Sequence, residues 1–151
     1  MKNSVSFKVF GKIVQWKRVK SRYNPKTKKV ISNNNVDQII YQNLVKEAYK
    51  NECDGNPYYF GTDKPLHLSV AAYFQAPKSM PKKYQRMLEN GIKVRRLRTP
   101  DDDNLIKNIA DALNKVAFGD DKQVSMDSIS FWTLGPEYLE AEIYEEDYPA
   151  W

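Results

Sequence analysis

The stretch that decides the fold is Pro100–Val124, PDDDNLIKNIADALNKVAFGDDKQV. Leu105, Ile106, Ile109, Ala110, Leu113, Val116 and Ala117 recur there at the spacing of one helical face, which predicts an amphipathic helix over 103–117. Pro100 fixes the approach to that helix, and Asp101 or Asp102 can cap it. Gly119 turns the chain into Asp120-Asp121, and Gln123–Thr133 reads as a strand. Asp103, Lys107 and Asp111 fall at i, i+4 and i+8, on the side away from Leu105, Ile109 and Leu113.

Working outward, SVSFKVF at Ser4–Phe10 alternates as a strand and Gly11 breaks it. Lys12 to Arg22 is expected to continue extended with a basic face, and Asn24–Thr27 reads as a turn. Asn33-Asn34-Asn35 is a loop that precedes a helix over Val36–Asn51. The expected buried stripe of that helix is Val36, Ile39, Ile40, Leu44, Val45, Ala48 and Tyr49. Leu66–Phe74 is a strand, Pro81–Asn90 a short basic helix stopped by Gly91, and Tyr138–Tyr144 a last strand. Strands and helices are mixed rather than regularly alternating. The fold class expected is therefore α/β (α+β), one domain over residues 1–151 with a mixed β-sheet packed by helices.

The chain has 151 residues, with ten Tyr, six Phe and three Trp, enough to bury a core without staples. One cysteine excludes a disulfide framework and a cysteine zinc finger, and one histidine makes a His-centred triad a poor reading. No apolar run approaches a membrane span and the N-terminus has no signal-peptide core, so a cytoplasmic, membrane-free protein is expected. The net charge of +5 is unevenly placed. No acid precedes Asp37, whereas Lys2, Lys8, Lys12, Lys17, Arg18, Lys20, Arg22, Lys26, Lys28 and Lys29 do. A second basic block runs from Lys78 to Arg98 against one acid, Glu89. Such blocks are the footprint of a polyanion binder, although a solvated surface has the same composition. The residues expected to grip phosphates are Lys17, Lys20 and Arg22 along the extended segment. Arg95, Arg96 and Arg98 join them, because they lead into the acidic run.

If the strand after the 103–117 helix packs beside it, Asp120 or Asp121 can approach Asp101 and Asp103. Converging carboxylates repel each other unless a cation neutralises them, and an oxygen-only ligand set selects Mg²⁺ or Mn²⁺ over zinc. A lysine beside such a site can hold a scissile phosphate or orient the attacking water. That is an architecture for metal-assisted phosphodiester hydrolysis. The plain alternative is that these Asp residues only cap a helix and that Asp103–Lys107 is a surface pair.

The blocks Pro100–Lys107, Asp111–Asn114 and Asp120–Val124 together resemble the signature of the RusA family of Holliday junction resolvases, often carried by prophages. The family pattern reads PDxDNLxK, DALN and DDxQV at close to this spacing. The resemblance implies a Mg²⁺-dependent, structure-specific endonuclease that acts as a homodimer on branched DNA, the four-way junction, in recombination and repair. Carried over by motif position, Asp101, Asp103 and Asp121 are the acidic catalytic and metal-binding residues, Lys107 the catalytic lysine, and Asp120 an auxiliary ligand. Asn104 and Asp111 are expected to order the helix. Two positions depart from the family pattern: Lys12-Ile13-Val14 where many members have Pro, and Lys115 where many have Gly. Two other functions fit the same residues, a metal-dependent nuclease for other branched DNA or RNA and a non-catalytic nucleic-acid binder.

His67, between two leucines on a strand, is expected to be structural, and Cys53 an inert thiol at a helix end. Trp16, Tyr23, Tyr58, Tyr59 and Phe60 could stack on bases, but core or dimer packing is the better reading.

Overall fold

The computed structural model describes residues 3–14, 20–33, 36–97 and 102–151; for 20–22, 29–33, 102 and 103 it describes the backbone alone. The strands are β1 (Ser4–Phe10), β2 (Lys20–Asn24), β3 (Lys29–Asn33), β4 (Leu66–Gln75), β5 (Val124–Thr133) and β6 (Tyr138–Glu145). The helices are α1 (Val36–Glu52), α2 (Lys82–Glu89) and α3 (Asp102–Leu113). One mixed four-stranded sheet has the order β1-β6-β4-β5, and β2 and β3 form a separate ribbon. The fold is α+β, as expected from the sequence.

Pairing is antiparallel for β1–β6 and β6–β4 and parallel for β4–β5. A parallel pair cannot close through a hairpin, so the chain between β4 and β5 makes a crossover that contains α2 and α3. One sheet face is built from Phe7, Val9, Leu66, Leu68, Val70, Ala72, Leu139, Ala141 and Ile143, all buried. Helices α1 and α3 cover it, with Tyr41, Val45 and Tyr49 from α1 and Leu105, Ile109 and Leu113 from α3 in the same cluster. At about 2 kcal/mol for each large apolar side chain, this burial is the main source of stability. The outer face carries the alternate residues. There Phe10, Tyr138, Tyr73 and Phe131 form a ring ladder across all four strands, with centroid spacings of 6.1, 4.6 and 5.4 Å.

Buried Asn108 ties the two helices together. It accepts from Gln42 of α1 at 2.8 Å and donates to the carbonyl of Val14 at 2.9 Å. A buried amide is tolerated when its groups are paired in this way.

Three details differ from the sequence expectations. In α1 the buried stripe is Tyr41, Val45 and Tyr49, whereas Val36, Ile39, Ile40 and Leu44 are exposed. Apolar residues are spread around this helix, and β1 decides which face turns inward: Tyr49 meets the ring of Phe7 edge-on at 5.6 Å. Second, β3 was not expected; the turn at residues 25–28 folds it back antiparallel on β2. Third, α3 stops at Leu113 rather than Ala117, because Lys115 takes a left-handed conformation with φ 69°.

Candidate functional site

The site is assembled by α3 and the turn that follows it. Asp103, Lys107 and Asp111 occupy successive turns of α3, with Lys107 exposed and Asp111 half-buried. Eight residues separate the first from the last, about 12 Å along the axis. The left-handed Lys115 then reverses the chain. Its N–H donates to the carbonyl of Phe118 at 2.7 Å and its ammonium donates to the carbonyl of Gly119. Glycine is the residue that takes this conformation at least cost, which accounts physically for the glycine of the family pattern at this position.

The chain next packs against the loop at residues 60–62. Phe60 N–H donates to Ala117 O at 2.7 Å, and Gly119 N–H donates to Gly61 O at 3.1 Å. A Cβ on Gly119 would lie 2.2 Å from Thr62 Cγ2 and 2.9 Å from Tyr59 Oη, so no larger residue fits without movement. Gly119 is thus required by space, where Lys115 is strained by conformation.

Asp120 caps the short 3-10 turn Asp121–Gln123. Its carboxylate accepts from Lys122 N–H at 3.0 Å, and Gln123 Oε1 accepts from Asp120 N–H at 3.0 Å. Gln123 also donates to the carbonyl of Lys64 at 2.9 Å. One Asp120 oxygen is therefore engaged in shaping the turn, and Asp121 is the residue the turn presents. Both are exposed.

The electrostatics bring the two elements together. The carboxyl of Asp111 is raised above its ordinary 3.8, first by burial and then by the charge of Asp121, against a downward pull from Lys107. Asp111, Asp121 and Lys107 thus share one field. Asp111 and Asp121 are hard oxygen donors, and their mutual repulsion is the kind that a cation relieves. No cluster of three His, Cys, Asp or Glu side chains suited to a metal occurs among the described residues. Asp101 lies outside them, and Asp103 is described by its backbone alone.

Of the expected phosphate contacts, Lys17 and Arg98 lie outside the described residues, and Lys20 and Arg22 sit on β2 with only their backbone described. Arg95 is exposed where residues 94–96 run along the free edge of β5, bridging to Phe131. Arg96 N–H donates to Ser130 O at 2.9 Å, and its guanidinium stacks 3.9 Å from the Phe74 ring and 5.6 Å from Trp132. That stacking gives Arg96 a packing role at the sheet end.

His67 is held on the outer sheet face by Ser125 Oγ at 2.8 Å and Asp127 at 3.3 Å, a polar network that also includes Ser69 and Glu146. Cys53 is half-buried just past α1. Phe60 is a core residue, whereas Tyr23, Tyr58 and Tyr59 are exposed and Trp16 lies outside the described residues.

Asp111, expected from the sequence to order the helix on the stripe of Asp103 and Lys107, also lies in the field of Asp121. Sequence reasoning missed Asn108, whose signal was faint, a polar residue three positions after Leu105 on the apolar face.

A basic chain with a lysine and two carboxylates gathered where a helix meets a turn has the chemistry of a site acting on phosphodiesters. Residues 14–144 match the family described as endodeoxyribonuclease RusA, and the chain belongs to that family. Its class is thereby a DNA hydrolase. No curated protein matches the chain. Among the described residues, no helix is long and apolar enough to cross a membrane.

Proposed function

We propose that the chain, residues 1–151 acting as one cytoplasmic unit, is a Mg²⁺-dependent endonuclease that resolves four-way DNA junctions as a homodimer. The observation that carries this reading is the match of residues 14–144 to the endodeoxyribonuclease RusA family, beside which stand Lys107 and Asp111 on α3 and Asp121 on the capped turn that follows it. Asp101, Asp103 and Asp121 would hold Mg²⁺ or Mn²⁺, with the second oxygen of Asp120 in reserve. A bound ion would polarise the scissile phosphate and lower the pKa of an attacking water.

The chain's own residues do the rest. Lys107 is exposed beside the carboxylates, where its ammonium can hold a non-bridging phosphate oxygen. Asp111, one turn further along α3, attracts that ammonium. The basic segments, among them Lys17, Lys20, Arg22, Arg95 and Arg98, grip the flanking backbone and carry no base information. The two-fold axis of a dimer would match that of a junction, so paired cuts would fall on strands related by symmetry.

The test is cleavage of a synthetic four-way junction with 10-fold excess Mg²⁺ over EDTA and the reverse. Paired nicks near the crossover, absent in excess EDTA and absent on linear duplex, are expected. Full activity in excess EDTA, or equal cutting of linear duplex, would overturn the reading.

A further inference from the structure

We infer that the exposed face of α2 is a docking surface for the phosphate backbone of a duplex DNA arm, a contact separate from the cleavage site. The inference rests on the nuclease reading for the identity of the polyanion.

The residues are Lys82, Lys83 and Arg86, at i, i+1 and i+4 of an eight-residue helix, with Lys78 just before it. Lys82 and Lys83 precede Arg86 by four and three residues, so each is its neighbour on the helix surface and the two flank it. All four are exposed. The other face holds the helix to the protein: Gln85, Met87 and Leu88 are half-buried, Met80 is buried, and Gln85 donates to the carbonyl of Met80 at 2.6 Å. The helix is thus oriented by its apolar side, and its cations are turned outward by default.

Among the described residues no carboxylate pairs with these cations; Lys83 lies 5.7 Å from the centre of the Tyr84 ring, a contact that leaves its charge in place. None of the four makes a salt bridge with any described residue, whereas Lys8, Lys64 and His67 pair with Glu140, Glu145 and Asp127. The acids Asp127, Glu140 and Glu142 lie on the outer face of the sheet, where they pair with Ser69, Lys8 and Ser6. Nor does α2 carry an acid in its first turn, and Pro81 gives no side-chain cap. Lys82 and Lys83 therefore sit at the positive end of the helix dipole, an arrangement that works against the folded helix. Uncompensated charge placed where it lowers stability is accounted for by an external anion. A peptide or membrane surface would also supply negative charge, but the chain belongs to a family that acts on DNA.

Arm docking makes a different prediction from crossover contact. A duplex backbone is the same in a junction arm and in a linear fragment, so the loss on removing these cations should be equal on both.

The experiment measures binding of the full chain to a four-way junction and to a linear duplex by fluorescence anisotropy, without divalent metal, from 50 to 200 mM salt. The parent is compared with a Lys82→Ala/Lys83→Ala/Arg86→Ala variant. Each lost phosphate contact reduces the slope of log K against log[salt] by about 0.9. Three lost contacts mean that the affinity gap between parent and variant narrows by about 40-fold over this fourfold salt range. The corresponding Lys82→Arg/Lys83→Arg variant should keep the parent slope, and all variants should keep the parent melting temperature within a few degrees.

Identical slope and affinity for parent and Ala variant would overturn the docking surface while leaving the nuclease reading intact. A loss confined to the junction would overturn arm docking in favour of a crossover contact. A parent that binds neither DNA would overturn the nuclease reading and the inference with it.

Discussion

Replacing Asn108 by Ala tests whether α3 is held where the site needs it. The Asn108 side chain is fully buried and makes two hydrogen bonds, 2.8 Å to Gln42 and 2.9 Å to the Val14 carbonyl. Removing it leaves two groups unpaired at about 1–3 kcal/mol each. Gln42 and Val14 are both half-buried and can recover part of this through water, which favours the lower half of the range. The total expected is about 3 kcal/mol. At about 2–4 °C per kcal/mol for a chain of this length, the melting temperature should fall by about 10 °C. The assay is thermal unfolding followed by circular dichroism, with urea unfolding as a second measure. Asn108→Asp separates the causes: it keeps the acceptor for Gln42, loses the donor to Val14, and brings a charge into the interior. Its deficit should therefore grow as pH rises through the carboxylate range. A loss under 1 kcal/mol for Asn108→Ala would show that α1 and α3 are held by apolar packing alone.

Lys107→Ala should abolish most turnover while leaving stability within about 1 kcal/mol, the ceiling for an exposed ion pair; normal single-turnover cleavage would remove the lysine from the mechanism. In metal-free protein, Asp111→Asn should be more stable than the parent at neutral pH. The folded carboxyl is raised above 3.8, so the parent loses stability relative to the variant as pH rises through that value, by an amount that solvent screening keeps small. Denaturation at pH 3 and pH 7 checks the sign, and a parent that gains on the variant with rising pH contradicts it. Lys115→Gly relieves the φ of 69° and should raise stability by about 0.5–1 kcal/mol, less what is lost with the hydrogen bond to Gly119. A loss of stability in urea unfolding would show that this bond outweighs the strain.

What the amino-acid sequence determined by itself is local. The apolar face of α3, the alternation of β1, β4 and β6 and the Gly119 turn follow from side-chain period and backbone preference, both contained in a few adjacent residues. The order of PDDDNLIK, DALN and DDKQV along the chain is likewise complete in one dimension, so the family was legible before any coordinate.

Tertiary structure decided whatever depends on a distant neighbour. α1 has apolar residues on two sides, and packing against β1 and α3, with Phe7 on Tyr49 and Asn108 on Gln42 among the contacts, turns Tyr41, Val45 and Tyr49 inward while Val36, Ile40 and Leu44 stay exposed. The β2–β3 ribbon carries little hydrophobic alternation, so cross-strand pairing defines it. Gly119 reads as an ordinary turn residue until Thr62 and Tyr59, far back in the chain, are found against it. Asp111 has the spacing of a surface residue on a helix, and its carboxyl is raised because tertiary packing half-buries it and the capped turn brings Asp121 into its field. Desolvation and the Coulomb interaction depend on distance through space, which the fold of the turn sets and sequence separation does not.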